Sequence, residues 1–276
     1  MFKLSKERLY FVTLFILIAL IMLALHLAPP SLQDKLVLNY QSFSFSNPAD
    51  WLRLYTMHFV HKDFWHLLNN LITFAIIFPL IYFLAEIGNS FDSFKRLLIF
   101  VFIILPPVIA LLDLLVMRRY NLRYGMGFSG IDAALIGAVP YFSANFLKKK
   151  LGFNISPLTF SNSFMLIAGG LIALIYAFFI IGIPLILVGL LMLLYSISKA
   201  FKEYDWESKG EKVQKLRTSI RNFILAILLV MTAAIWGAFP RNIVARAGMV
   251  NIFIHYLGLI STLYIFPLFE DLIFRD

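Results

Sequence analysis

Eight apolar runs, each about as long as a bilayer is thick, constrain this chain more than any other feature. They cover roughly 9–28, 64–85, 94–116, 129–147, 162–181, 184–200, 221–239 and 249–269. Crossing ~30 Å of hydrocarbon takes about 20 helical residues at ~1.5 Å each. Hydrophobic residues fill 61% of the 276 positions and charged residues only 14%. A soluble domain has about 45–50% and about 25%. The excess lies in the runs, so the expected fold is an all-α polytopic transmembrane bundle of about eight helices. The first run, Leu9 to Leu27, is followed by no small-residue cleavage site and reads as a retained first helix.

The stretch 162–200 is too long for one ordinary span and is interrupted at Gly182-Ile183-Pro184. Proline cannot continue the hydrogen-bond ladder and disfavours helix in the residue before it. The reading is a tight hairpin of two helices turning at these residues, the alternative one long kinked helix. Charge favours the hairpin. With eight spans and a cytoplasmic N-terminus (Lys3, Lys6, Arg8), 16 of the 24 Lys and Arg fall inside. These include Lys95, Arg96, Lys148 to Lys150, Arg275 and the cluster between Lys199 and Arg221. Lys35, Arg53, Lys62, Arg118, Arg119, Arg123, Arg241 and Arg246 fall outside. Seven spans would move the 199–221 cluster outward and reverse the positive-inside bias. The arginines at 118, 119 and 123 are a local violation. The expectation is a single multi-pass domain in the cell membrane, with 201–220 as a cytoplasmic linker.

The net charge of +9 sits in short gaps between runs and forms no continuous basic face. That argues against nucleic acid as a partner and for membrane orientation. There are no cysteines, so disulfides, thiolate catalysis and cysteine-held metals are excluded. The longest gap, about 29–63, carries Pro29-Pro30, Asn47-Pro48 and many aromatics. It reads either as a loop partly embedded at headgroup depth or as one packed on its own helices.

Three runs carry polar groups that a membrane interior normally excludes. Ser129 opens the fourth, in Gly127-Phe-Ser129-Gly130. A serine hydroxyl needs a base beside it to act as a nucleophile. At a helix start it also lies among N–H groups without intrahelical partners, which favour a nearby anion. Gly125, Gly127 and Gly130 open space for a substrate or a neighbouring helix. Ordinary helix packing uses the same small residues. His255, in Asn251-Ile-Phe-Ile-His255-Tyr-Leu-Gly258, is a candidate general base. The alternative is a histidine bonded between helices, with Asn251 as partner. His66 and Asn70, four apart, share one helical face and are candidate oxyanion donors. His58, His61 and His66 cluster as a metal site would, but no His-Glu-x-x-His pattern accompanies them, and Asp63 is the one nearby acid. Neither metal nor cofactor is expected. In eight spans, the second, fourth and last helices all descend from the outer face, so the four residues can meet just below it.

Together these pieces resemble the rhomboid intramembrane serine proteases. The match rests on His61-x4-His66-x3-Asn70, on Gly127-Phe-Ser129-Gly130-Ile-Asp-Ala-Ala-Leu135-Ile-Gly137, on His255-x2-Gly258 and on Trp51-Leu-Arg53. It covers about 51–145 and 248–262. The resemblance implies a six-helix core (51–147 and 248–270) with two additional spans, the hairpin of 162–200. It implies Ser129 as nucleophile and His255 as base. The Ser129 N–H, His66 and Asn70 would hold the oxyanion, with His61, Gly127, Gly130 and Gly258 in support. The substrate would be a transmembrane segment entering from lipid, at a site open to the outer face. Departures are the 126 positions between Ser129 and His255, Ala133 in place of an aromatic, Thr262 in place of a smaller residue, and Asp132 in place of an apolar one. For Asp132, pairing with an arginine of the preceding loop is favoured over a part in catalysis. Two other functions stay open. One is a non-catalytic membrane protein that binds or escorts client helices. The other is a transporter broken at Pro184, although the mirrored half-repeat such a protein should show is not evident.

Overall fold

The computed structural model describes residues 6–206, 213–239, 244–245, 248–249 and 251–274. The charge assignments at Lys3, Lys209, Lys212, Arg241, Arg246 and Arg275 lie outside them. The structure is about 81% helical, with no closed sheet among the described residues. Among the described residues, eight helices are long and apolar enough to cross a membrane, as expected of a multi-pass membrane protein.

The first span is α1 (Lys6–His26). It leads into a folded segment: α2 (Pro30–Leu36), β1 (Leu38–Asn39), α3 (Pro48–Thr56) and a tight turn at Met57–Phe59. Prolines at the first helical positions of α2 and α3 start helices, since a proline there forfeits an N–H that had no partner anyway. Asn47 caps α3, its side chain accepting from Ala49 N. Arg53 ion-pairs with Asp50 and donates from Nε to Lys35 O at 2.9 Å, tying α3 to α2. The prolines of this segment thus begin helices where the sequence suggested irregular chain. Phe43 is buried, whereas Phe45, Trp51, Tyr55, Phe64 and Trp65 are exposed.

The second span is α4 (Phe64–Ile87), capped by Asp63, which accepts from His66 N at 2.9 Å. The third is continuous from α5 (Phe91–Ile99) through a π-turn at Phe100–Ile104 to α6 (Leu105–Met117). The wide turn precedes Pro106 and Pro107, which cannot donate to the ladder. Strand β2 (Tyr124–Gly125) pairs antiparallel with β1 and delivers the chain to α7 (Ser129–Asn145). Then come α8 (Pro157–Ile175), α9 (Phe179–Glu203) and α10 (Val213–Ala238). A short hairpin, β3 (Val244–Ala245) and β4 (Gly248–Met249), precedes α11 (Ile252–Ile260). A π-turn and α12 (Phe266–Ile273) complete the last span. Helix α7 lies at the centre, against α4, α8, α10 and α11.

The hairpin within 162–200 is present, but its turn lies at Tyr176–Phe178 and not at Gly182–Pro184. Ala177 adopts φ 65°. Phe178 N bonds Ala173 O at 2.8 Å and Ala177 N bonds Leu174 O at 3.1 Å, the paired bonds of a Schellman C-cap. Pro184 falls near the start of α9, where one lost backbone bond is tolerated. Gly182 is a packing residue: a Cβ there would lie 2.9 Å from Gly170 O. Gly189 packs on Ser163 O in the same way, at 2.8 Å. The linker is also shorter than its composition implied. Helix α9 runs to Glu203 and α10 starts at Val213, because Lys, Arg and Glu are good helix formers beyond the apolar part of a span. Residues 207–212 of that linker lie outside the described structure.

Candidate active site

Gly127 has φ +120°, a conformation open to glycine, and a Cβ on it would sit 2.6 Å from His66 Cε1. The bare Cα therefore lets the His66 ring lie against the segment leading to Ser129. His61 organises the other side. Its Nε2 receives the Asn70 amide at 2.9 Å and Phe128 N–H at 3.4 Å. Both donors aim at one ring nitrogen, so that nitrogen carries a lone pair and His61 is neutral. Burial, aided by the nearby His66, lowers the His61 pKa to about 3 and keeps it so. Asn70 spends one amide hydrogen on His61 and has a second to offer. His66 thus lies against Gly127, and His61 links Asn70 to Phe128, the residue before Ser129.

Of the 17 residues of α7, all except Ser129 are buried. The hydroxyl is the point where this helix meets its surroundings. Ser129 also occupies the first helical position, whose N–H has no carbonyl one turn earlier in the helix to accept it.

His255 Nε2 lies 2.6 Å from Ser129 Oγ, and His255 Nδ1 lies 2.5 Å from Ala238 O. A carbonyl only accepts, so Nδ1 carries the proton and Nε2 the lone pair. That tautomer accepts the serine proton. The Ala238 carbonyl is among the last of α10, where helix carbonyls lack partners and the helix end is partially negative. The Phe239 ring, buried, meets the imidazole edge-on at 6.0 Å. It supplies aromatic packing that Ala133 does not.

Two helix backbones touch to make this possible. A Cβ on Gly258 would lie 2.0 Å from Gly130 O, and one on Gly137 would lie 2.5 Å from Leu259 O. Thr262 donates across the same seam to Ala134 O. Gly130 and Gly258 thus bring α7 and α11 close enough for Ser129 to reach an imidazole 126 positions away. Thr262 is a hydrogen-bonded part of the seam, which explains its hydroxyl.

One expectation fails, and so does one alternative. Asp132 pairs with no arginine: both carboxyl oxygens are buried without a hydrogen-bond partner. Arg118, Arg119 and Arg123 are exposed, and Arg123 lies over the Tyr124 ring. A charged side chain at a helix surface reaches water more cheaply than it follows a carboxylate into the bundle. Asn251 does not bond His255 either. It caps α11 by accepting from Ile254 N at 3.3 Å, and it donates to Asp113 Oδ1 at 2.7 Å. No group of three or more potential metal ligands occurs among the described residues.

Asp113, Ala238 and Phe239 escaped the sequence reading. Asp113 had a signal, a carboxylate in the middle of an apolar run. Ala238 had none, since a backbone carbonyl leaves no trace in a sequence. A scan against protein-family models finds no match for the chain, and neither does a search of curated proteins or of solved structures.

Proposed function

We propose that the chain is an intramembrane serine endopeptidase of the rhomboid kind, cleaving transmembrane segments of other membrane proteins. The single observation that carries the reading is the 2.6 Å separation of Ser129 Oγ and His255 Nε2, with the imidazole in the accepting tautomer. Ser129 attacks the scissile carbonyl carbon while His255 Nε2 takes its proton. The oxyanion collects at the Ser129 N–H, His66 and Asn70. His255 then returns the proton to the leaving amine, and water hydrolyses the acyl-serine by the same route. The substrate segment enters from lipid and unwinds locally, because helical backbone is closed to attack. On the positive-inside rule the N-terminus is cytoplasmic and the site faces the outer side.

The test is labelling of the purified protein with a fluorophosphonate, followed by cleavage of a single-span reporter. Wild type should label and cleave, and Ser129→Ala should do neither while its helical circular dichroism is unchanged. Losing the nucleophile costs a factor on the order of 10⁶ in related chemistry. Cleavage at the wild-type rate by Ser129→Ala would sink the proposal. Absence of labelling in wild type would favour a protein that binds client helices without cutting them.

A further inference from the structure

Among the buried carboxylates that the proposed chemistry does not use, Asp113 is the one bonded to two segments that flank the dyad. Asp113, on α6, is wholly inaccessible and has no cationic partner within ion-pair distance among the described residues. Its two oxygens are taken by two different parts of the chain. Tyr40 donates its hydroxyl to Oδ2, and Asn251 donates its amide to Oδ1 at 2.7 Å. Burying a carboxylate is costly, so both bonds are needed to keep it. Burial and the adjacent Asp113 push the Tyr40 phenol well up, so it stays a donor.

Each of those two partners leads directly to one half of the site. Tyr40 follows β1, and its N–H bonds Arg123 O at 3.0 Å, beside the β1–β2 pairing of Leu38 with Gly125. A Cβ on Gly125 would lie 2.1 Å from the Tyr40 hydroxyl, so that strand is packed directly on the phenol. Four residues later the strand becomes Ser129. Asn251, on the other oxygen, caps α11 through Ile254 N, one residue before His255.

We infer that Asp113 is a positioning residue for the dyad: its carboxylate joins the strand that leads to Ser129 to the cap of the helix that carries His255. The inference rests on the proposed Ser129–His255 chemistry for its purpose, though not for its geometry. The Gly130–Gly258 contact sets how closely α7 and α11 approach. The Gly137–Leu259 contact and the Thr262–Ala134 bond hold the far end of the seam, and Asp113 holds the α11 end nearest the serine. A near-attack geometry tolerates little displacement, with about 1 Å costing on the order of 10² in rate.

The experiment combines a distance and a rate. The chain has no cysteines, so spin labels can be placed cleanly at Tyr124→Cys and Tyr256→Cys, both exposed positions. Pulsed dipolar spectroscopy on wild type, Asp113→Asn and Asp113→Ala should give a narrow, an intermediate and a broad distribution. Without the labels, the fluorophosphonate rate at Ser129 should fall about 10²-fold in Asp113→Ala, and by less than tenfold in Asp113→Asn, which keeps one acceptor oxygen. The graded rescue separates positioning from general destabilisation, and equal thermal midpoints for wild type and Asp113→Asn would secure it. Unchanged distances in both variants would overturn the inference. So would Asp113→Asn behaving like Asp113→Ala at full stability. If wild type fails to label while the distances respond as described, the serine-protease reading falls and the link between the two segments stands.

Discussion

Helices α7 and α9 are both long and apolar enough to cross a membrane, yet they lie near opposite ends of the burial range. The most apolar stretch of the α7 span is 94% buried and that of α9 is 22% buried. Helix α7 is built for enclosure. Gly130, Gly137 and the small residues between them accept α11 backbone to backbone, and its one accessible residue is Ser129. Helix α9 packs one stripe, Gly182 and Gly189, on α8 and turns Ile180, Leu187, Leu191 and Leu194 outward. Both seams use glycine for close approach. The difference lies in what the approach accomplishes. Across α7 and α11 it brings a hydroxyl to an imidazole, and across α8 and α9 it closes a hairpin. Small residues in a membrane helix therefore mark a close contact, and only the polar residues around the contact say whether chemistry follows.

The largest effect that would test this division is Asn70→Ala. It removes one donor of the proposed oxyanion hole and releases His61, and should lower reporter turnover by about 10²–10³. An unchanged rate would remove Asn70 from the hole. Next is Gly258→Ala, whose methyl meets Gly130 O at 2.0 Å. The separation of α7 and α11 should slow fluorophosphonate labelling by about 10², and a wild-type labelling rate would mean that the seam does not govern the dyad.

The corresponding change in the hairpin, Gly189→Ala, places a methyl 2.8 Å from Ser163 O. It should cost about 1–3 kcal/mol of stability and leave the labelling rate per folded molecule within twofold. A large loss of rate at full occupancy of the folded state would erase the distinction between the seams.

Acid should act on the segment before α4. Burial holds His58 at about 4 and His61 at about 3, below the ordinary 6.5. The unfolded chain therefore binds more protons than the folded one below pH 6.5. The stabilisation is complete above that pH and is lost progressively as pH falls toward the folded values. Each histidine contributes about 2 kcal/mol at most of destabilisation at pH 5. The thermal midpoint in detergent should fall between pH 7.5 and pH 5, and His58→Gln should flatten that slope. A flat wild-type profile would contradict the burial of both rings. The smallest effect is Gly169→Ala, whose nearest neighbour is Leu185 Cδ1 at 3.9 Å. It should change stability by less than about 0.5 kcal/mol, and a larger loss would show that the hairpin is packed as tightly there as at Gly189.

The sequence by itself determined the number of spans, because transfer of apolar side chains into lipid depends on composition over about 20 residues and not on neighbours. It also singled out Ser129, His255, His66 and Asn70, since a polar group inside an apolar run stands out wherever it points. It placed the hairpin turn at Pro184, where the fold puts it at Ala177, because the glycine and proline signals that mark a turn in water also serve helix packing in a membrane. It favoured an arginine as the partner of Asp132 and offered Asn251 as an alternative partner of His255. In each case several partners were available by spacing, and only packing selects among them. The tertiary structure alone decided the meeting of Gly130 with Gly258, the Ala238 carbonyl on the imidazole, and the bonds that tie Tyr40 and Asn251 to Asp113. These depend on helix–helix contacts between residues more than 70 positions apart, or on backbone atoms that every residue shares, and neither kind of information is carried by local pattern.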